Sequence, residues 1–208
     1  MIDRINKQTL STVLKGPLPG KSAQQKMAPE GRRVEIERGR EGKGCRKAAV
    51  LIVLFPEGDY IHTIFMKRNE YDGPHSGQIS FPGGMYEEAD LELEQTAIRE
   101  TEEETGIKAG TAAMLGKLTT LFIPVSNFCV TPYVAWLPGR PLFKPDSSEV
   151  QYLLTPSLHE ILNPSNRYKK NIHRHGYDIL APYIKIDNDI IWGATAMILS
   201  EFMELIEP

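Results

Sequence analysis

The sequence predicts an α+β fold or an α/β/α sandwich, and three observations carry that expectation. Strand-like and helix-like segments follow one another irregularly, without the regular alternation of a parallel βαβ protein. Ala48 to Phe55 is a continuous apolar run with the length of a buried strand. A glutamate-rich helical segment follows the turn Phe81-Pro82-Gly83-Gly84 and stops at Gly106, a residue suited to the position after a helix.

Taken in order, Ile2, Ile5, Leu10 and Leu14 give a helical pattern over residues 2–15, stopped by Gly16-Pro17-Leu18-Pro19-Gly20. Residues 20–46 are polar and basic, with Arg32, Arg33, Arg38, Arg40, Lys43 and Arg46. Glu35, Glu37 and Glu41 interleave with them, so the stretch reads as a solvated linker, or as an arm toward an anionic substrate or a dimer partner. Residues 1–46 are thus expected to form an extension ahead of a domain at 47–208. Ala48–Phe55 and Ile61–Arg68 are strands around the turn Gly58-Asp59. A helix is expected over 91–105, with Asp90 as its N-cap and Glu92 and Glu94 favourable in its first turn. Strands follow near 114–122 and 128–137, joined by Ile123-Pro124-Val125-Ser126-Asn127. Thr155 as N-cap and Pro156 at N1 open a short helix through Leu162. Strands near 167–174 and 182–192 precede an amphipathic helix from Ala194 to Ile206, which buries Ile198, Leu199, Phe202 and Ile206.

Composition narrows the function. A chain of 208 residues with 41% hydrophobic and 25% charged residues is ordinary for a soluble globular domain with a decorated terminus. A net charge of −3 argues against bulk affinity for nucleic acid. No apolar run reaches the length of a membrane span, and the first residues lack the apolar core of a secretory signal. Cys45 and Cys129 are too few for a disulfide framework and are expected as free thiols in a reducing cytoplasm. Cys129, between Phe128 and Val130, reads as strand core.

The chemistry concentrates in Arg99-Glu100-Thr101-Glu102-Glu103-Glu104-Thr105-Gly106. A helix turns about 100° per residue, so Glu100, Glu103 and Glu104 share one arc of roughly 100° while Glu102 points elsewhere. Like charges at this spacing repel. A cation would resolve that repulsion, and hard oxygen ligands suit Mg²⁺, Mn²⁺ or Ca²⁺. No Cys or His joins the cluster, which argues against zinc. A glutamate-rich helix alone is usually only a solvated face; the glycine turn before it and the glycine stop after it make this one more specific.

These residues resemble the Nudix hydrolase signature, G-x5-E-x7-R-E-U-x-E-E-x-G-U, with U aliphatic. Arg99, Glu100, Glu103, Glu104, Gly106 and Ile107 match its second half, with Thr101 at a usually aliphatic position. Gly84 lies one residue too far from Arg99, and Asp90 stands in the place of the first glutamate. The longer form, GG-x5-D-x5-TA-x-RE-x-x-EE, resembles the Nudix branch that splits coenzyme A and its derivatives. Phe65-Met66-Lys67-Arg68 and His75-Ser76-Gly77-Gln78-Ile79-Ser80-Phe81-Pro82-Gly83-Gly84 are similar to that branch's upstream motif, LLTxR…HxGxxxFPGG. Its usual Leu-Arg pair before the histidine is replaced by Asp72-Gly73, so one expected basic residue is missing. Thr131-Pro132-Tyr133-Val134 and Trp192-Gly193-Ala194-Thr195-Ala196 look like further family landmarks, and the likeness spans roughly residues 47–206.

The resemblance implies a Nudix fold with a mixed β-sheet between helices. It implies a cytoplasmic, Mg²⁺- or Mn²⁺-dependent hydrolase with a small-molecule nucleotide substrate, binding neither nucleic acid nor membrane, with a homodimer possible. The reaction would cut the pyrophosphate of coenzyme A or acyl-coenzyme A to 3′,5′-ADP and (acyl-)4′-phosphopantetheine. Glu100, Glu103 and Glu104 would hold metal. Glu100 and Glu103, with Arg99 orienting them, would carry catalysis, and Glu100 is preferred over Glu149 as general base. Arg68, His75, Gly83 and Gly84 would meet the substrate. Two alternatives stay open: hydrolysis of another nucleoside diphosphate derivative (NADH, ADP-ribose, a nucleotide sugar), and a Nudix-fold protein that binds a nucleotide without cutting it. His173 and His175 share a strand face but lack further ligands, and Tyr133 and Trp192 read as core or pocket wall.

Overall fold

The apolar run Ala48–Phe55 lies within the strand that organises the molecule. In the computed structural model, which describes residues 5–30, 44–73, 75–174 and 177–207, this strand is β1 (Arg46–Glu57). It runs parallel to β8 (Phe128–Trp136), in register from Arg46 opposite Phe128 to Leu54 opposite Trp136. It runs antiparallel to β2 (Tyr60–Thr63) and β5 (Gly83–Met85). Strands β6 (Ala113–Lys117) and β7 (Leu121–Ile123) pair antiparallel with β8 and complete a mixed six-stranded sheet.

Both faces of β1 are buried, which is why its sequence is a continuous run and not an alternation. Ala48, Ile52 and Leu54 pack with Ile198, Leu199 and Phe202 of the last helix, α5 (Gly193–Ile206). Ala49, Leu51, Val53 and Phe55 face the other way, into a cluster with Ala97 of helix α3 (Leu93–Thr105) and Ile107 just beyond it. Helices on both faces of a mixed sheet make the α/β/α sandwich of the α+β class. Two small antiparallel sheets extend it: β3 (Phe65–Arg68) between β4 (Ile79–Ser80) and β9 (Val150–Leu154), and β10 (Arg167–Arg174), β11 (Tyr177–Ile186) and β12 (Asp189–Trp192) in that order.

Several expected boundaries move. The strand expected over 182–192 is the hairpin β11–β12, turned at Asp187, whose φ is 51°. The strand expected over 114–122 divides into β6 and β7. Ser157, not Thr155, caps the short helix α4 (Leu158–Leu162), because its hydroxyl and Glu160 exchange the bonds of a capping box. The first helix is shorter than its periodicity suggests, α1 (Lys7–Val13), with Asn6 as cap.

Helix α2 (Gly20–Lys26) stands where a linker was expected. Periodicity misses it because polar bonds dock it. Gln24 donates from Nε2 to Glu201 Oε2 at 2.8 Å and to the Thr119 carbonyl at 2.9 Å, and Ser200 Oγ donates to the Ala23 carbonyl at 2.7 Å. Glu201, fully buried, also accepts from the backbone N–H groups of Gly20 and Thr119. Residues 31–43 of the basic stretch, with Arg32, Arg33, Arg38, Arg40 and Lys43, lie outside the described residues.

The expectation of two free thiols is overturned: Cys45 and Cys129 form a disulfide, with Cα atoms 5.7 Å apart and a sequence separation of 84. Parallel pairing of β1 with β8 brings them together, a long-range consequence that no local spacing announces. The pairing also removes the thiols as an argument for a reducing compartment. Closing so long a loop restricts the unfolded chain, so a reductant should lower unfolding stability by roughly 2–4 kcal/mol. Urea unfolding with and without dithiothreitol measures this, and an unchanged midpoint would mean that the thiols are unpaired in solution. Among the described residues no helix is long and apolar enough to cross a membrane.

Candidate active site

Helix α3 is positioned from both ends. Gly106 closes it in the left-handed conformation, φ 70°, as the sequence predicts, and its N–H donates to the Glu102 carbonyl. The start differs from expectation: the N-cap position is Glu92, without a side-chain cap, and Asp90 has another task. Its buried carboxylate accepts from the Glu87 N–H, from Thr96 Oγ1 at 2.8 Å, and from Arg99 Nε and Nη2, each at 3.0 Å. The two-pronged bond from Arg99 holds the Asp90 carboxyl well below the usual carboxylate range, against the cost of burial. Arg99 also donates to the Met85 carbonyl at 3.2 Å, to Glu100 Oε1 at 3.0 Å and to Glu103 Oε2 at 3.1 Å. One guanidinium thereby ties the helix to the loop before it and to β5. Its sequence-expected partner, Glu103, is only one of several.

The three glutamates occupy different environments. Glu104 is 2% exposed and accepts the Gly83 N–H at 2.8 Å. Arg68 Nη1 stands 3.4 Å from its other oxygen, an ion pair with a long hydrogen bond. Burial pushes the Glu104 carboxyl up to about 8; the Gly83 N–H and Arg68 oppose this, and the charges of Glu100 and Glu149 add to it. Glu100 is also raised, first by burial, with Arg99 opposing and Glu103 and Glu149 reinforcing. Its carboxylate rests on the Cα of Gly84, where a Cβ would overlap it. Glu103 is 59% exposed and turned toward Arg99.

Among the described residues no three acidic, histidine or cysteine side chains are gathered as a metal-binding group as they stand. The donor set nevertheless fits a hard divalent cation. Glu100 and Glu104 are carboxylates desolvated beside one another, Glu149 adds a third charge within electrostatic range, and a cation would relieve what burial and repulsion impose. Glu149 itself is exposed on the turn before β9, and the Asn69 N–H donates to its carbonyl.

The substrate candidates gather around a cavity of about 330 Å³ on the α5 side of the sheet. Arg68, His75, Gly83 and Gly84 all line it. His75, at φ 68°, sets its ring between Gln78 Oε1 at 3.3 Å and Ser126 Oγ at 3.2 Å. From the landmark near the C-terminus, Ala194 and Thr195 form wall, and Thr195 Oγ1 donates to the Ile79 carbonyl. Tyr133 is core and does not line the cavity. His173 is paired with Asp178 at 3.0 Å on the surface, and His175 lies outside the described residues. The sequence placed Arg46 only at the end of the linker or arm, not among the site residues, yet it lines the cavity. The signal was its place two residues before Ala48 and four before Val50, on the same face of β1.

A mixed sheet between helices, with an R-E-x-x-E-E helix beneath a glycine turn, is the arrangement of a Nudix enzyme. Residues 46–173 match the NUDIX domain family. A Nudix hydrolase NudL of Yersinia pestis strain Pestoides F, described as uncharacterized, is 38% identical over 156 residues, covering 74% of this chain and 76% of that protein. The NudL of Yersinia pseudotuberculosis strain IP 31758 gives the same figures. Among solved structures, a MutT/nudix family protein from Enterococcus faecalis superimposes with a TM-score of 0.52 at 15% identity, covering 90% of this chain and 73% of that one. RenU, a Nudix hydrolase from M. smegmatis, gives 0.50 at 14% identity, covering 78% of this chain and 84% of its own. The chain belongs to the Nudix hydrolase family. Nudix hydrolases generally use divalent metals such as Mg²⁺ or Mn²⁺.

Proposed function

We propose that the chain hydrolyses the pyrophosphate bond of coenzyme A or an acyl derivative, giving 3′,5′-ADP and (acyl-)4′-phosphopantetheine. The observation that carries a nucleoside diphosphate substrate is Arg68, which pairs with Glu104 and also lines the cavity, joining the carboxylates to a space of ligand size. The choice of coenzyme A rests on the sequence likeness, in which Arg68, His75 and Gly83-Gly84 occupy matching positions and line this same cavity.

In this reading Glu100 and Glu104 would hold Mg²⁺ or Mn²⁺, with Glu103 joining them on release from Arg99. Bound there, the ion supplies charge neutralisation of the diphosphate and a lowered pKa for water. Glu100, half-buried with raised proton affinity, is suited to accept the proton of the attacking water. Arg99 positions the carboxylates through Asp90 and the Met85 carbonyl. Arg68 and His75 meet phosphate oxygens, and Gly83 and Gly84 let the diphosphate approach the backbone.

Replacing Glu103 with Gln should lower kcat about a hundredfold or more while leaving Tm unchanged, because the side chain is exposed and removes no core contact. Near-normal turnover would reject its role. The substrate is tested by mass-resolved hydrolysis of coenzyme A, acetyl-coenzyme A, NADH, ADP-ribose and a dinucleoside polyphosphate, with each metal. Release of 3′,5′-ADP with the others at least about tenfold slower, the effect of one well-placed charged contact, supports the proposal. Preference for another member supports the second reading, a different nucleoside diphosphate derivative, which Asp72-Gly73 in place of a basic residue favours.

A further inference from the structure

The cavity beside the glycine pair ends at a cation that the sequence pattern leaves outside the site. Side chains of a strand alternate between faces, so Arg46 points to the same side as Ala48 and Val50, and all three line the cavity. Lys47 takes the opposite side, its ammonium 5.9 Å from the Tyr86 ring. The Arg46 guanidinium lies 4.1 Å over the Phe128 ring and donates from Nη2 to the Ser126 carbonyl at 3.0 Å. Among the described residues no carboxylate neutralises it. Stacking fixes the plane of the fork and leaves further N–H donors for a ligand, an arrangement suited to two-pronged phosphate binding.

The separation of the two arginines carries the argument further. Arg68 stands at the carboxylate end, against Glu104. Ala49 and Val50 pair with Gly84 and Gly83, so at about 3.3 Å per residue Arg46 lies roughly 10–13 Å along β1 from the glycine pair. The cavity walls are mainly apolar, with Phe81, Val130 and Ile198 among them. Such a space complements a ligand that carries a second anionic group on its ribose, apart from the diphosphate. It also supplies, from β1, the positive charge that Asp72-Gly73 does not.

We propose that Arg46 recognises a phosphate monoester borne on the ligand's nucleoside, distinct from the diphosphate that meets Arg68. This rests on the coenzyme A reading, because the 3′-phosphate of that substrate is such a group and NADH and ADP-ribose lack it.

The test is calorimetric binding of 3′,5′-ADP and 5′-AMP to the full chain at fixed salt, which needs no turnover. The wild type should bind 3′,5′-ADP about tenfold more tightly, the value of one charged phosphate contact. Arg46→Gln should bring the ratio to about one and Arg46→Lys should restore part of it, each with wild-type Tm. Lys47→Gln, which removes the same charge from the other face, should keep the wild-type ratio. Equal affinities in the wild type, an unchanged ratio in Arg46→Gln, or the same loss in Lys47→Gln would each overturn the proposal. Coenzyme A hydrolysis measured alongside separates the two claims. Turnover without the ratio overturns the role of Arg46 alone, and the ratio without turnover overturns the function while supporting the subsite.

Discussion

Glu104→Gln should yield a protein that is inactive and, in the absence of metal, more stable than the wild type at alkaline pH. The wild-type carboxyl is lifted from an ordinary value of 4.5 to about 8, chiefly by burial. Between these values the folded state holds a proton that the unfolded state has lost, so wild-type stability falls as pH rises through this window and levels off above it. The amide carries no such slope. It can still accept the Gly83 N–H, so the bond that ties α3 to β5 survives. The gap in Tm between the two proteins should open from about pH 4.5 and reach its full width above about 8. Mg²⁺ should raise the Tm of the wild type more at high pH than at low pH, and should leave the variant unmoved. Turnover should drop about a thousandfold, the several kcal/mol that a well-held cation contributes. A variant no more stable than the wild type at pH 9 would refute the burial argument, and one that keeps its activity would refute the metal role.

The two adjacent glycines should fail in opposite ways. At Gly83, φ is 145° and a Cβ would overlap the backbone of Ala49 and Val50 in the neighbouring strand, which has no room to give. Gly83→Ala should therefore cost about 3 kcal/mol or more and lower Tm sharply. At Gly84 the obstructing atoms are the carboxylate of Glu100, the free end of a flexible side chain. Gly84→Ala should cost less than about 1 kcal/mol while moving that carboxylate, with kcat down about a hundredfold, the scale of an ångström's misplacement. Thermal unfolding and steady-state kinetics on the pair decide it. Parallel losses in both variants would mean that the glycines serve only packing.

The acidic helix was legible in the sequence because everything that shapes it is local: the spacing of Glu100, Glu103 and Glu104, the glycine stop at Gly106, and the glycine turn ahead of it. Both helix-packed faces of β1 were legible from its unbroken apolar run. What stayed hidden depends on partners distant in the chain. Asp90 reads as a cap from its neighbours, and becomes the buried partner of Arg99 only when the loop folds back nine residues. Helix α2 has no apolar period because Glu201 and Thr119 receive its polar groups. Arg46 reads as the tail of a basic stretch until β1 fixes which way it points, and the cysteines look unrelated until β8 lies beside β1.

The link between Cys45 and Cys129 gives the active centre a covalent boundary. Arg46, Arg68, His75, the glycine pair and the whole of α3 lie inside a closed ring of chain, while Ala194, Thr195 and Ile198 of the cavity wall belong to the open C-terminal part. A partial opening that detaches α5 would remove that wall and leave Arg46, Arg68 and the carboxylate helix together within the ring. The groups proposed to read the ligand and those proposed to hold the cation thereby share one closed segment, and the α5 wall meets it through packing and the Thr195 bond to the Ile79 carbonyl.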